Sequence, residues 1–182
     1  MTARQTGFTL LEALVALVVI SIGLLGLLGL QTVALVNTQV SQSQTAANIA
    51  ADDIAGRMRA NPSTAAAAVY ASIRANTSST LPSISCAGPE AACTAAQMAR
   101  FDAWEWQQNV SARLPDGAGS VDCRETGTVD GTTRCRVYAI TVSWAGRSGP
   151  ENADGATGQT NCPDSPSEGS RTRRCFRIEV QP

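Results

Sequence analysis

The 182-residue chain contains no histidine and no lysine. Without histidine there is no imidazole base, no Ser-His or Cys-His nucleophile pair and no histidine metal ligand. All 14 basic side chains are arginine, set against 15 acidic ones, for a net charge of −1. Such a balance gives no electrostatic reason to expect nucleic acid as a partner. Aromatics are scarce, with three Phe, three Trp and two Tyr, and only Phe8 precedes residue 61. No C-x-x-C occurs among the six cysteines, so a metal site has neither of its commonest signatures. Nothing in the sequence assembles a catalytic constellation, and no cofactor motif is present. Asp116, Asp122, Asp130 and Asp154 sit among glycines without the D-x-D-x-D-G order of a calcium loop, so they are expected to form turns.

What the chain has instead is one long apolar run. From Ala13 to Leu30 the only polar side chain is Ser21, and Phe8 to Leu11 extend the run towards the N-terminus. A membrane-spanning helix needs about 20 apolar residues, and a run apolar on every face is not an ordinary core helix. The leader, Met1 to Gly7, carries Arg4 as its sole charge, and no small-residue cleavage site follows Leu30. Arg4 favours a cytoplasmic N-terminus, which places the rest of the chain on the other side. Glu12 is the anomaly. It is the only ionisable side chain between Arg4 and Asp52, and a charge in a span costs about 2.5–3.5 kcal/mol. Either its carboxylate reaches water at the bilayer surface or another group supplies a partner.

The helical pattern outlasts the apolar run. Val36, Val40, Ser43, Ala47, Ala50, Ile54 and Met58 fall on one stripe, with Asp53 and Arg57 as an i,i+4 pair. Asn61-Pro62 is a stop signal. A helix from Phe8 to Arg59 would be about 78 Å long. Gly23, Gly26 and Gly29 recur within the span, where small residues suit close helix packing and also weaken the helix. Beyond Pro62, Ala65 to Asn76 reads as a helical extension or a short separate helix, and Thr77 to Pro89 as loop. Ala92 to Leu114 reads as a further helix, with Ala96, Ala99, Ala103, Trp106, Val110 and Leu114 on its stripe. Pro115-Asp116-Gly117 is a turn. Alternation predicts strands over Val137–Trp144 and Phe176–Val180, and a weaker one over Ser120–Thr126, with Asp130-Gly131 turning the first pair. The fold class expected is α+β, a long helix packed on about three antiparallel strands. All six cysteines lie beyond the span, on the side where disulfides persist. Six cysteines allow 15 connectivities. Pairing of neighbours gives Cys86–Cys93, Cys123–Cys135 and Cys162–Cys175.

The segment Gly7-Phe8-Thr9-Leu10-Leu11-Glu12, followed by the apolar run, resembles the N-terminus of type IV pilins and the related type II secretion pseudopilins. The resemblance covers about residues 5–60 and implies the ladle-shaped pilin architecture. It implies a leader, residues 1–7, removed between Gly7 and Phe8 by a prepilin peptidase, with N-methylation of the new Phe8 amine. It also implies a role for Glu12 in assembly, pairing with that amine on the same or a neighbouring subunit. Residues 8–30 would be the transmembrane and assembly helix, 31–61 its amphipathic continuation and 62–182 a periplasmic, disulfide-containing head. The partners implied are other minor and major pilins, the peptidase and inner-membrane lipid, before display on a surface pilus. The role expected is that of a minor pilin that primes or caps a pilus serving twitching motility or adhesion. Two alternatives stay open on sequence: a minor pseudopilin of type II secretion, and a membrane-tethered periplasmic binding domain that never assembles.

Overall fold

A computed structural model describes residues 9–75, 82, 83, 85–88, 92–129, 131–146, 162 and 173–182. The leader, Gly7 and Phe8 lie outside the described residues, as do Asp130 and Asp154 and most of the 77–89 segment. The chain divides into two units, Met1–Gln42 and Ser43–Pro182. Helix α1 (Leu10–Ala60) runs through both. Helices α2 (Thr64–Tyr70) and α3 (Ala95–Arg113) and strands β1 (Ala118–Val129), β2 (Thr132–Ala145) and β3 (Arg173–Val180) follow in the second unit.

In the first unit the sequence dictates a helix without a core. Every large apolar side chain from Leu10 to Leu35 is 50% to 92% exposed. Water does not tolerate such a surface, and lipid does. The hydroxyls inside this stretch satisfy themselves. Ser21 donates to the Leu17 carbonyl (2.7 Å), and Thr32 to that of Leu28 (2.9 Å). Neither therefore presents an unpaired donor to hydrocarbon.

In the second unit each helix end has a local cause. α1 stops at Ala60 because Pro62 forces Asn61 out of the helical region. Ser63 then caps α2, accepting from the Ala66 N–H at 3.1 Å. Thr94 and Gln97 form a reciprocal capping box that opens α3 three residues later than the apolar pattern predicts. The Ala65–Asn76 alternative resolves as a short separate helix that ends at Tyr70.

The three strands form one antiparallel sheet in the order β1-β2-β3. One cluster joins Ala47, Ala51, Ile54, Ala55 and Met58 of α1 to Tyr70, Trp106 and Val110 and to Val121, Ile140 and Val142 of the sheet. The α1 stripe is thus buried only from Ala47 onward; Val36 is exposed. On β2 the alternation predicts one buried face, yet Ala139, Thr141 and Ser143 on the other face are buried too. These side chains are small, and their partners across β3 include Cys175 and Arg177. Arg173 also reaches over them, its guanidinium donating to Ser143 Oγ at 3.1 Å. The outer edge of β1 is covered at Val121, whose N–H donates to the Ile73 carbonyl (3.0 Å) while Arg74 donates to the Val121 carbonyl (3.1 Å). Asp122 lies within β1, 3.3 Å from Arg74, and not in a turn as its glycine-rich context suggests.

Candidate assembly site

Glu12 stands in the first turn of α1. Thr9 caps this turn. Its hydroxyl accepts from the Glu12 N–H (3.3 Å) and its carbonyl from the Ala13 N–H (3.2 Å). Thr9 and Glu12 therefore hold the N-cap and N3 positions, the S/T-x-x-E spacing of a capping box. That signal is present in the sequence but is easily missed inside an apolar run. An acid here is also favoured by the positive end of the helix dipole. Glu12 is exposed in the single chain, and the carbons around it are apolar. A carboxylate so placed is held at the helix end and open to a cation from outside the subunit.

A second cluster ties the last turns of α1 to the helices that follow. Arg57 reaches Asp53 (3.1 Å) on its own helix and Asp102 (3.1 Å) and Glu105 (2.6 Å) on α3. Tyr70 of α2 donates its hydroxyl to the other Asp102 oxygen at 2.6 Å. Burial alone would lower the Arg57 pKa, but the hydrogen bonds it donates to Glu105 and Asp53 outweigh it and hold the guanidinium above its ordinary value. Burial, reinforced by the bond to Asp102, raises the Tyr70 phenol well above its usual range. Asp102 lies on the buried side of α3, where the apolar stripe gave no hint of a carboxylate. It is tolerated because both its oxygens are paired. The groove beside this clamp, about 310 Å³, has Asp53, Arg57 and Arg113 as its only charged lining. It brings together no nucleophile and base.

Trp106 fixes α3 to both neighbours. Its indole N–H donates to the Ala50 carbonyl of α1 (2.7 Å). Its ring lies on Gly119 of β1, where an added Cβ would collide with ring carbons Cη2 and Cζ3. Trp104, two residues earlier, leans on Phe101 with ring centroids 5.8 Å apart.

The structure joins Cys86 to Cys93, Cys123 to Cys135 and Cys162 to Cys175, with Cα separations of 5.9, 5.7 and 5.7 Å. Only Cys86 and Cys175 are buried.

The first helix is long and apolar enough to cross a membrane and carries an acid in its first turn. Residues 2–28 match the model of the prokaryotic N-terminal methylation motif. The amino-terminal part of the chain is therefore similar to that of prokaryotic proteins with an N-terminal methylation motif. Residues 29–104 match the model of the type IV pilin Tt1218. The two matches abut, so from residue 2 to residue 104 the chain is similar to the type IV pilins. Proteins of this family are structural, not enzymes. No curated protein and no solved structure gives a significant match to the chain.

Proposed function

We propose that the chain is a minor pilin of a type IV pilus, similar to the pilus modification protein PilV. The narrower similarity rests on Ser21-Ile22-Gly23-Leu24-Leu25-Gly26, Gly29-Leu30-Gln31, Arg57-Met58-Arg59-Ala60-Asn61-Pro62 and the Leu114-Pro115-Asp116-Gly117 turn. In this reading prepilin peptidase removes residues 1–7 and the Phe8 amine is methylated. Residues 8–30 hold the subunit in the inner membrane, 31–61 continue the helix, and 62–182 fold as a periplasmic head with its three disulfides. The subunit then joins other pilins in a complex that primes or caps the filament, and so supports twitching motility or adhesion.

The observation that carries the proposal is Glu12, a carboxylate seated at the capped end of an otherwise apolar helix within the matched methylation motif. Such a group needs a counter-charge when it is taken into a dry interface, and an amine at Phe8, its own or a neighbour's, supplies one. Insertion is driven by Ala13 to Leu30 and does not need Glu12. The test is Glu12→Ala. Processed protein in membranes should stay near the wild-type level, while its amount in sheared surface pili should fall by about tenfold or more. Normal incorporation of the Ala variant would remove the pairing role and leave Glu12 as a surface-reaching side chain.

A further inference from the structure

The β1–β2 hairpin continues past the rest of the sheet. β3 stops pairing at Tyr138↔Val180, so among the described residues β2 from Thr132 to Val137 has a strand on one side only. The described residues of this arm are nearly all exposed, with Gly127, Cys135 and Val137 half-buried. An isolated two-stranded ribbon is marginal in water. Here it is stapled by Cys123–Cys135, which ties the exposed Cys123 to Cys135, a half-buried residue packed against the core cluster. The staple brackets two register shifts. Cys123 pairs with Tyr138, Glu125 with Val137 and Thr126 with Cys135, which leaves Arg124 and Arg136 outside the register. Bulges of this kind re-aim the side chain they carry. Arg136 leans across Gly127, where a Cβ would strike its Cδ, and Arg134 is the direct partner of that glycine. The glycine thus makes room for the Arg136 side chain on a stretch of ribbon where Arg134 is its register partner. Among the described residues no carboxylate pairs with Arg134 or Arg136, and Arg124 has only a loose contact with Glu179 (3.8 Å).

We propose that this arm is a docking edge for an extended, carboxylate-bearing segment of a partner polypeptide. The partner's backbone would add to the open edge of β2 over Thr132–Val137, and its carboxylates would meet the Arg134 and Arg136 forks. The staple and the bulges pre-order the arm, which lowers the ordering cost of binding. A protein partner is favoured over nucleic acid. The arm carries no aromatic side chain for base stacking. This surface lies outside the filament role proposed above and does not depend on it.

The test uses the full chain in detergent and a fluorescein-labelled ten-residue peptide alternating Glu and Thr, read by fluorescence anisotropy. Saturable binding is expected. Arg134→Glu with Arg136→Glu should weaken it by about tenfold or more, since charge-assisted forks are replaced by repulsion. Arg59→Glu with Arg100→Glu, the same charge change at exposed helical positions, should leave it within about twofold. Cys123→Ser with Cys135→Ser should weaken binding at a temperature where circular dichroism shows the head still folded, because the staple pre-orders the arm. Hydrogen exchange should slow at outward-facing amides of residues 132–137 when the peptide is bound. No binding, equal loss in both arginine pairs, or unchanged binding in the arm variant would each overturn the proposal. Tighter arginine-dependent binding of a DNA duplex would overturn it in favour of a nucleic-acid surface.

Discussion

Asp102 shows how a single residue can escape a sequence reading. Its neighbours on the helix, Ala99 and Trp106, announce a buried face, and a carboxylate there looks misplaced. Its partners are 45 residues upstream in Arg57 and 32 upstream in Tyr70, a separation that no local pattern reveals. Removing Asp102 strands the Tyr70 hydroxyl, whereas Arg57 keeps Asp53 and Glu105. Asp102→Ala should destabilise the head by roughly 1–3 kcal/mol, read by chemical denaturation, because the buried Tyr70 hydroxyl loses its acceptor. A loss under about 1 kcal/mol would mean that water replaces Asp102 and that the cluster is ornamental. The two tyrosines give a pH test. Burial raises the phenol of Tyr70, helped by its bond to Asp102, and burial raises that of Tyr138. A raised folded value means the unfolded chain loses its phenolic proton first. The stability these groups contribute is therefore complete below about pH 10 and is lost as pH rises towards their folded values. Since the chain has only these two tyrosines, absorbance at the tyrosinate band should stay flat through pH 10 and then rise together with unfolding. A tyrosinate signal with a midpoint near pH 10 in folded protein would contradict the burial of both.

At the scale of elements, periodicity carried far. The apolar run, the Asn61-Pro62 stop and the strand alternation sufficed for a long helix on a three-stranded antiparallel sheet, because each rests on a local rule. The shortfalls are non-local. The bulges at Arg124 and Arg136 depend on how two strands align, and the doubly buried β2 depends on what lies across it. Gly119 also belongs here. It reads in sequence as one of three glycines or alanines near a turn, yet in the fold it is the seat of the Trp106 ring. Gly119→Ala should force β1 and α3 apart and lower the unfolding temperature, with a cost of about 1–3 kcal/mol for overpacking. Gly56→Ala is the matched control. Its added methyl meets nothing within 4 Å in the middle of a helix, so it should be neutral or raise stability by up to about 1 kcal/mol. Equal effects of the two would refute the packing role of Gly119. The processing residues could be read only through resemblance: Gly7 and Phe8 have no physical signature beyond their place before an apolar helix. Glu12, by contrast, was conspicuous as the one charge in a long apolar stretch.

At the scale of the whole molecule, two units with opposite solvent demands share one helix. The Met1–Gln42 unit exposes its apolar side chains, whereas the Ser43–Pro182 unit buries its own around Trp106 and Ile140. Such a first unit suits a membrane anchor, and the methylation-motif and pilin-type matches at residues 2–28 and 29–104 fit that. The central claim is that the chain is matured as a pilin. Intact-mass measurement of the protein purified from its native membrane tests this most directly. The account predicts a chain beginning at Phe8, 175 residues once the seven of the leader are taken from 182, heavier by one methyl group and lighter by six hydrogens for three disulfides. A mass corresponding to all 182 residues with an unmethylated terminus would contradict it.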